Sequence, residues 1–181
     1  MMFGLFGKRD DRLAPVNAVF ARVAEASRQP WLYLDGGIPD SFEGRFESLA
    51  LHVFLVLRRL RQLPEPAGAF AQDFTDATFA YLELGFRNGG ISDIAVPKRM
   101  KKIAQSFYGR LQAYEEAMEA GDEAALAAAL RRNASPGEGA ERLAAYAMRA
   151  RAGLDALDFE ALLAEPRLFP DMGSGQGGSD D

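Results

Sequence analysis

The chemistry open to this chain is bounded by two scarcities: it has one histidine, His52, and no cysteine. Without thiols there is no disulfide framework, thiol nucleophile, iron–sulfur cluster or Cys-based zinc site. One imidazole cannot build a multi-histidine metal site. As a general base, His52 would need a nucleophile and an orienting carboxylate beside it, and no GxSxG element or other nucleophile elbow is present. His52 lies inside the most apolar run of the chain, Leu49-Ala-Leu-His-Val-Phe-Leu-Val-Leu57, where a buried histidine held by hydrogen bonds is the better reading. No catalytic residue, cofactor or metal ligand is therefore assigned.

Other polar groupings point to binding rather than catalysis. Gly89-Gly90 with Ser92 lacks the spacing of a phosphate loop and has no strand before it, so it reads as a helix end, and Gly36-Gly37 reads as a turn. Asp73, Asp76 and Glu83 share one helix but offer fewer oxygens than a hard cation needs. Lys98, Arg99, Lys101, Lys102 and Arg110 form a basic face. That face suits RNA phosphates, anionic lipid heads or an acidic partner, and equally suits a solvated surface. Phe3, Leu5 and Phe6 with Lys8 and Arg9 form a segment too short to hold a membrane alone, and a disordered start fits them equally well.

These residues are positioned by helices. Pro15 suits the first position of a helix to about Gln29, with Val16, Val19, Phe20 and Val23 at helical spacing. Trp31 to Pro39 reads as a connector packed on the core. Asp40-Ser-Phe-Glu43 reads as a capping box with Asp40 as the cap. The following helix is apolar on several sides: Phe42, Phe46, Leu49, Val53, Val56, Leu57 and Leu60 form one face, and Leu51, Phe54 and Leu55 add another. Pro64 and Pro66 precede a helix ending at Asn88-Gly89-Gly90. Pro97 opens an amphipathic helix with Met100, Ile103, Ala104, Phe107, Leu111 and Tyr114 on one face. An Ala-rich helix from Asp122 and a helix with a Leu143, Ala147, Ala150, Leu154, Leu157 seam follow, and then a short turn to Ala164. No segment shows strand alternation. The expectation is an all-α fold, a single globular bundle of roughly six or seven helices with flexible termini: 1–12 flexible, 13–164 the domain, and 165–181 a Gly/Ser/Asp tail.

The 181 residues fit one domain with tails, and 48% hydrophobic content suffices for a core. A net charge of −5 argues against a dedicated nucleic-acid binder, so DNA is not expected as a partner. No run is long enough to span a bilayer, and the first residues lack a signal-peptide layout. A cytoplasmic bacterial protein is expected, peripheral at most at the inner face of the membrane.

The segment Gly36-Gly-Ile-Pro-Asp-Ser-Phe-Glu-Gly-Arg-Phe-Glu47, continuing through Leu51-His52 and Leu57-Arg-Arg-Leu60, resembles the ubiquinol–cytochrome c chaperone family. That family shows roughly GVPDTxxGRFE, then LH, then RRL. A second block agrees: Asp93-Ile-Ala-Val-Pro-Lys-Arg-Met-Lys-Lys102 with Phe107-Tyr-Gly-Arg-Leu-Gln-Ala-Tyr114. Ala127 to Asn133 and Arg28-Gln-Pro30 with Tyr33 agree more weakly. The motif positions are Pro39, Asp40, Gly44, Arg45, Phe46, His52, Arg58, Arg59, Asp93, Lys98, Tyr108, Gly109 and Arg110. Two departures stand out: Asn88 replaces a usual acid, and Ala80-Tyr81-Leu82 replaces part of an acidic stretch. If those acids touch a partner, the partner here is changed or held less tightly.

The resemblance implies a binding protein: an assembly chaperone, not an enzyme, for newly made cytochrome b or a similar apolar client. In mitochondrial members a small partner protein and the ribosome take part, so these and the membrane surface are candidate partners. Trp31, Tyr33, Leu51, Phe54 and Leu55 are the expected client-binding residues: Leu51, Phe54 and Leu55 form a surplus apolar helix face, and Trp31 and Tyr33 of the connector join it. The competing reading is a carrier of an apolar small molecule, lipid or quinone, in a helical pocket.

Overall fold

Fifteen residues of α3 (Phe42–Gln62), from Gly44 to Leu60, are buried, including polar Glu47, Ser48, His52 and Arg58. A helix apolar on more than one side must be covered on more than one side, and α3 is the axis of the bundle. The structure, a computed structural model, describes residues 4–90 and 92–172, with side chains from residue 13 onward. Around α3 pack α1 (Gly4–Ala26), α4 (Ala67–Asn88), α5 (Val96–Glu119) and α7 (Ala140–Asp155). The α6 helix (Glu123–Asn133) lies against α5 and α7. Two short helices, α2 (Pro30–Leu34) and α8 (Phe159–Ala164), complete the order, and the described residues contain no strand. The all-α bundle expected from the sequence is the fold, with six long helices and two of about one turn.

The departures are local. Helix α1 begins at Gly4 and carries Pro15 inside it, eleven residues earlier than the expected start. The Trp31–Leu34 connector is itself helical, with Pro30 supplying the fixed φ of a first helical residue. The α3 cap is Ser41, whose Oγ accepts from the Gly44 N–H at 3.1 Å. Asp40 is not the cap, because its carboxylate is taken up by Arg45 Nε at 2.8 Å. Residues 165–172, counted with the tail from sequence, place Leu168 and Phe169 in the core. Of the expected flexible ends, residues 1–3 and 173–181 lie outside the described residues, as does the Phe3 side chain with those of Leu5, Phe6, Lys8 and Arg9.

Two close backbone approaches explain glycines of the first motif block. A Cβ on Gly44 would stand 1.9 Å from the Pro39 carbonyl oxygen, so the Ile38-Pro39 turn can fold onto α3 only over a glycine. Gly37 has φ +69° and sits over the start of α7, where a Cβ on Gly139 would meet Gly36 backbone at 2.4 Å. The turn after α2 is thereby clamped between α3 and α7.

Candidate functional site

Where α2, the first turns of α3 and the later half of α4 meet, they leave an open groove of about 670 Å³. Tyr33 and Leu34 come from α2, Phe42, Phe46 and Leu49 from α3, and Tyr81, Leu82 and Gly85 from α4. The lining is mostly apolar, with Arg28, Asp40 and Arg45 at the rim. Leu34 is 79% exposed and Phe42 50%, so both present apolar surface to solvent. The walls are braced from behind: Phe42 packs on Phe86 and Tyr81 on Phe20, each pair with ring centroids 5.2 Å apart. The Arg28 guanidinium donates to the Tyr81 hydroxyl. Tyr33 donates to the Ser27 carbonyl at 2.8 Å, and burial pushes its phenol above its ordinary pKa.

The residues expected to bind a client separate on this geometry. Tyr33 lines the groove. Leu51, Phe54 and Leu55 do not: their exposures are 0%, 0% and 1%, and all three are core. The second apolar side of α3 is occupied by α5 and α7 rather than left open. Trp31 is also buried, its ring edge-to-face with Tyr146 at 4.6 Å. The sequence reading missed Leu34, Phe42, Leu82 and Leu49 as groove residues. Phe42 belongs to the same helical row as Phe46, Leu49 and Val53, so its spacing marks it as core. The Ala80-Tyr81-Leu82 departure from the family pattern falls on the groove wall, and that was the one usable signal.

His52 is fully buried and fully bonded. Its Nδ1 lies 2.7 Å from the Ser48 carbonyl, which can only accept, so the proton is on Nδ1. Its Nε2, 2.8 Å from the Tyr146 hydroxyl, accepts from it. Burial lowers the imidazole pKa to about 4, so the ring is neutral near pH 7. The hydrogen-bonded buried histidine is what the structure contains.

Three arginines of the motif tie distant segments together, while Arg45 pairs locally with Asp40. Arg58 Nη1 reaches Asp155 Oδ1 at 2.9 Å, while its Nε lies 3.2 Å from Glu115 Oε1 but off the line a hydrogen bond needs. Arg59 donates twice to the Leu157 carbonyl, at 2.8 and 2.6 Å. Arg110 is not part of a free basic face. Its Nε and Nη2 hold the buried Glu47 carboxylate, the shortest contact being 2.7 Å, and that bond raises the Arg110 pKa. Lys98, Arg99, Lys101 and Lys102 are exposed, with no ion pair among the described residues. Asp93 pairs with Arg87. Pro39 is exposed, Tyr108 stands 55% exposed against Phe79 and Phe107, and Gly109 faces open space. Of the acidic trio, Glu83 pairs with Arg87 and Asp76 accepts from Gln72.

No curated protein matches the chain. The family model for the ubiquinol-cytochrome C chaperone matches residues 34–169. The chain is similar to a crystal structure described as the Cbp3 homolog from Brucella abortus, at 39% identity and a TM-score of 0.81, covering 94% of this chain and 97% of that one. The family match begins at Leu34 on the groove, takes in its α3 and α4 walls, and ends at Phe169 in the core; the chain belongs to the ubiquinol-cytochrome C chaperone family.

Proposed function

We propose that this protein is an assembly chaperone for the ubiquinol–cytochrome c reductase, and that the groove between α2, α3 and α4 holds an apolar segment of newly made cytochrome b. One observation carries the placement: within the family segment, the groove is where large apolar side chains line a concavity and remain exposed, Leu34 and Phe42 above all. A client helix that is apolar all round needs a surface of this kind on a folded carrier. The protein acts by binding, since its one imidazole is fully engaged in hydrogen bonds inside the core.

The groove volume also suits a lipid or quinone, which keeps the small-molecule carrier as the second reading. The open rim favours a polypeptide, because a carried small molecule is normally enclosed over most of its surface. The test is to delete the gene and restore it as wild type or as a Leu34→Asp/Phe42→Asp double variant. Cytochrome b content and reductase activity are read with other respiratory complexes as controls. The chaperone reading expects specific loss on deletion, rescue by wild type, and none by the double variant. Normal cytochrome b in the deletion strain, with a bound apolar molecule seen by native mass spectrometry, would favour the carrier.

A further inference from the structure

We propose that the α4–α5 corner is a docking site for an anionic membrane surface, with Ile94 as its apolar tip and Lys98, Lys101 and Lys102 as its headgroup contacts. Ile94 is 93% exposed, the most exposed large hydrophobic side chain among the described residues. It immediately precedes a run from 95 to 114 that contains no Asp or Glu and four exposed cations, Lys98, Arg99, Lys101 and Lys102. The chain has four lysines in all, and three of them are these. The pairs that fix the fold use arginine instead, such as Arg58 with Asp155 and Arg110 with Glu47. A lysine is a compact, hydrated charge on a flexible stem, suited to a fluid layer of phosphates rather than to a fixed partner.

The placement of these cations also runs against local stability. The first turn of α5 has no acidic residue, and Lys98 and Arg99 stand there beside the positive end of the helix dipole. The acids of this helix, Glu115, Glu116 and Glu119, are gathered at its other end. A helix charged in opposition to its dipole is accounted for when a polyanionic surface meets its first turns. Asp93 at the tip is paired with Arg87, which it shares with Glu83. An exposed apolar side chain one turn ahead of exposed cations matches the layered chemistry of a bilayer edge, apolar beneath anionic. RNA would use the lysines and leave Ile94 without a role. This inference does not depend on what the groove binds.

The experiment is co-sedimentation of the full chain with phosphatidylcholine vesicles, with and without phosphatidylglycerol. Binding is expected only where phosphatidylglycerol is present, weakening as salt is raised. The Lys98→Glu/Lys101→Glu/Lys102→Glu variant should lose at least about fiftyfold in vesicle affinity. It should melt no lower than wild type, since it removes charges the dipole opposes. Ile94→Ser should lose about tenfold with the charge untouched. Arg132→Glu on α6 should change nothing, which separates the site from net charge. Equal binding to neutral vesicles, unchanged binding of the triple variant, or an Ile94→Ser variant that binds like wild type overturns the proposal. Lysine-dependent binding to RNA with none to vesicles overturns it as well.

Discussion

At the residue scale, the buried histidine ties folding stability to pH. Its folded pKa of about 4 lies below the ordinary 6.5. As pH falls through 6.5 the unfolded chain takes up a proton that the folded chain refuses until about pH 4. Stability from this site is therefore complete above the unfolded value. It declines as pH drops through that window, by up to about 3 kcal/mol at the lower end. Urea midpoints across the window should fall more steeply for wild type than for His52→Gln, which is less stable throughout but lacks this proton. Parallel slopes in the two proteins would assign the whole acid dependence to carboxylates. The burial of His52 was legible from the apolar run around it. Its partner Tyr146 was not, because 94 residues separate them and no local pattern marks a tyrosine that will reach a histidine.

At the element scale, α3 shows what periodicity can and cannot decide. Its apolar rows predict burial, and the burial is there, but periodicity does not say whether a second apolar row meets a client or another helix of the same chain. Here α5 and α7 pack on α3, Phe54 meets Tyr114 of α5, and Leu51, Phe54 and Leu55 are all buried. The docking of α5 onto α3 leaves a mark in charge. Glu47 is buried on α3 and its carboxylate is held by Arg110 from α5. Removing Arg110 strands that carboxylate in the interior, so Arg110→Ala should cost about 3 kcal/mol. The double variant Glu47→Gln/Arg110→Ala should recover part of the loss, since a neutral amide is less costly to bury than an unpaired charge. Thermal melts of the two variants measure the difference. Equal stability of Arg110→Ala and wild type would mean that Glu47 reaches solvent in solution. From sequence Arg110 belongs with the lysines of its helix, and only the approach of α3 reassigns it.

At the scale of the whole molecule, the groove and the corner share one helix. Tyr81, Leu82 and Gly85 line the groove, and α4 ends at Asn88, one turn beyond Gly85, where the chain turns toward Ile94 and the lysines. The cations of the corner are legible in the sequence as a basic helix face, but its exposed apolar tip and the groove are not. The groove is assembled from three helices whose contributing residues span Pro30 to Gly85, and the corner is recognised as open only because no other element among the described residues covers Ile94. A groove so close to a membrane-facing corner would receive an apolar segment without that segment crossing much water. That arrangement makes the two sites separable by mutation. The Leu34→Asp/Phe42→Asp variant should keep wild-type affinity for anionic vesicles, because the lysines and Ile94 are untouched. It should still fail to restore cytochrome b, because two charges in the groove impose a large desolvation cost on any apolar occupant. The triple lysine variant should show the converse: vesicle binding lost, and cytochrome b restored in part, more fully when the protein is overproduced. Overproduction replaces by mass action the local concentration that docking supplies. If the groove variant also loses vesicle binding, the two surfaces are one, and the client-binding role of the groove has to be reconsidered as membrane contact.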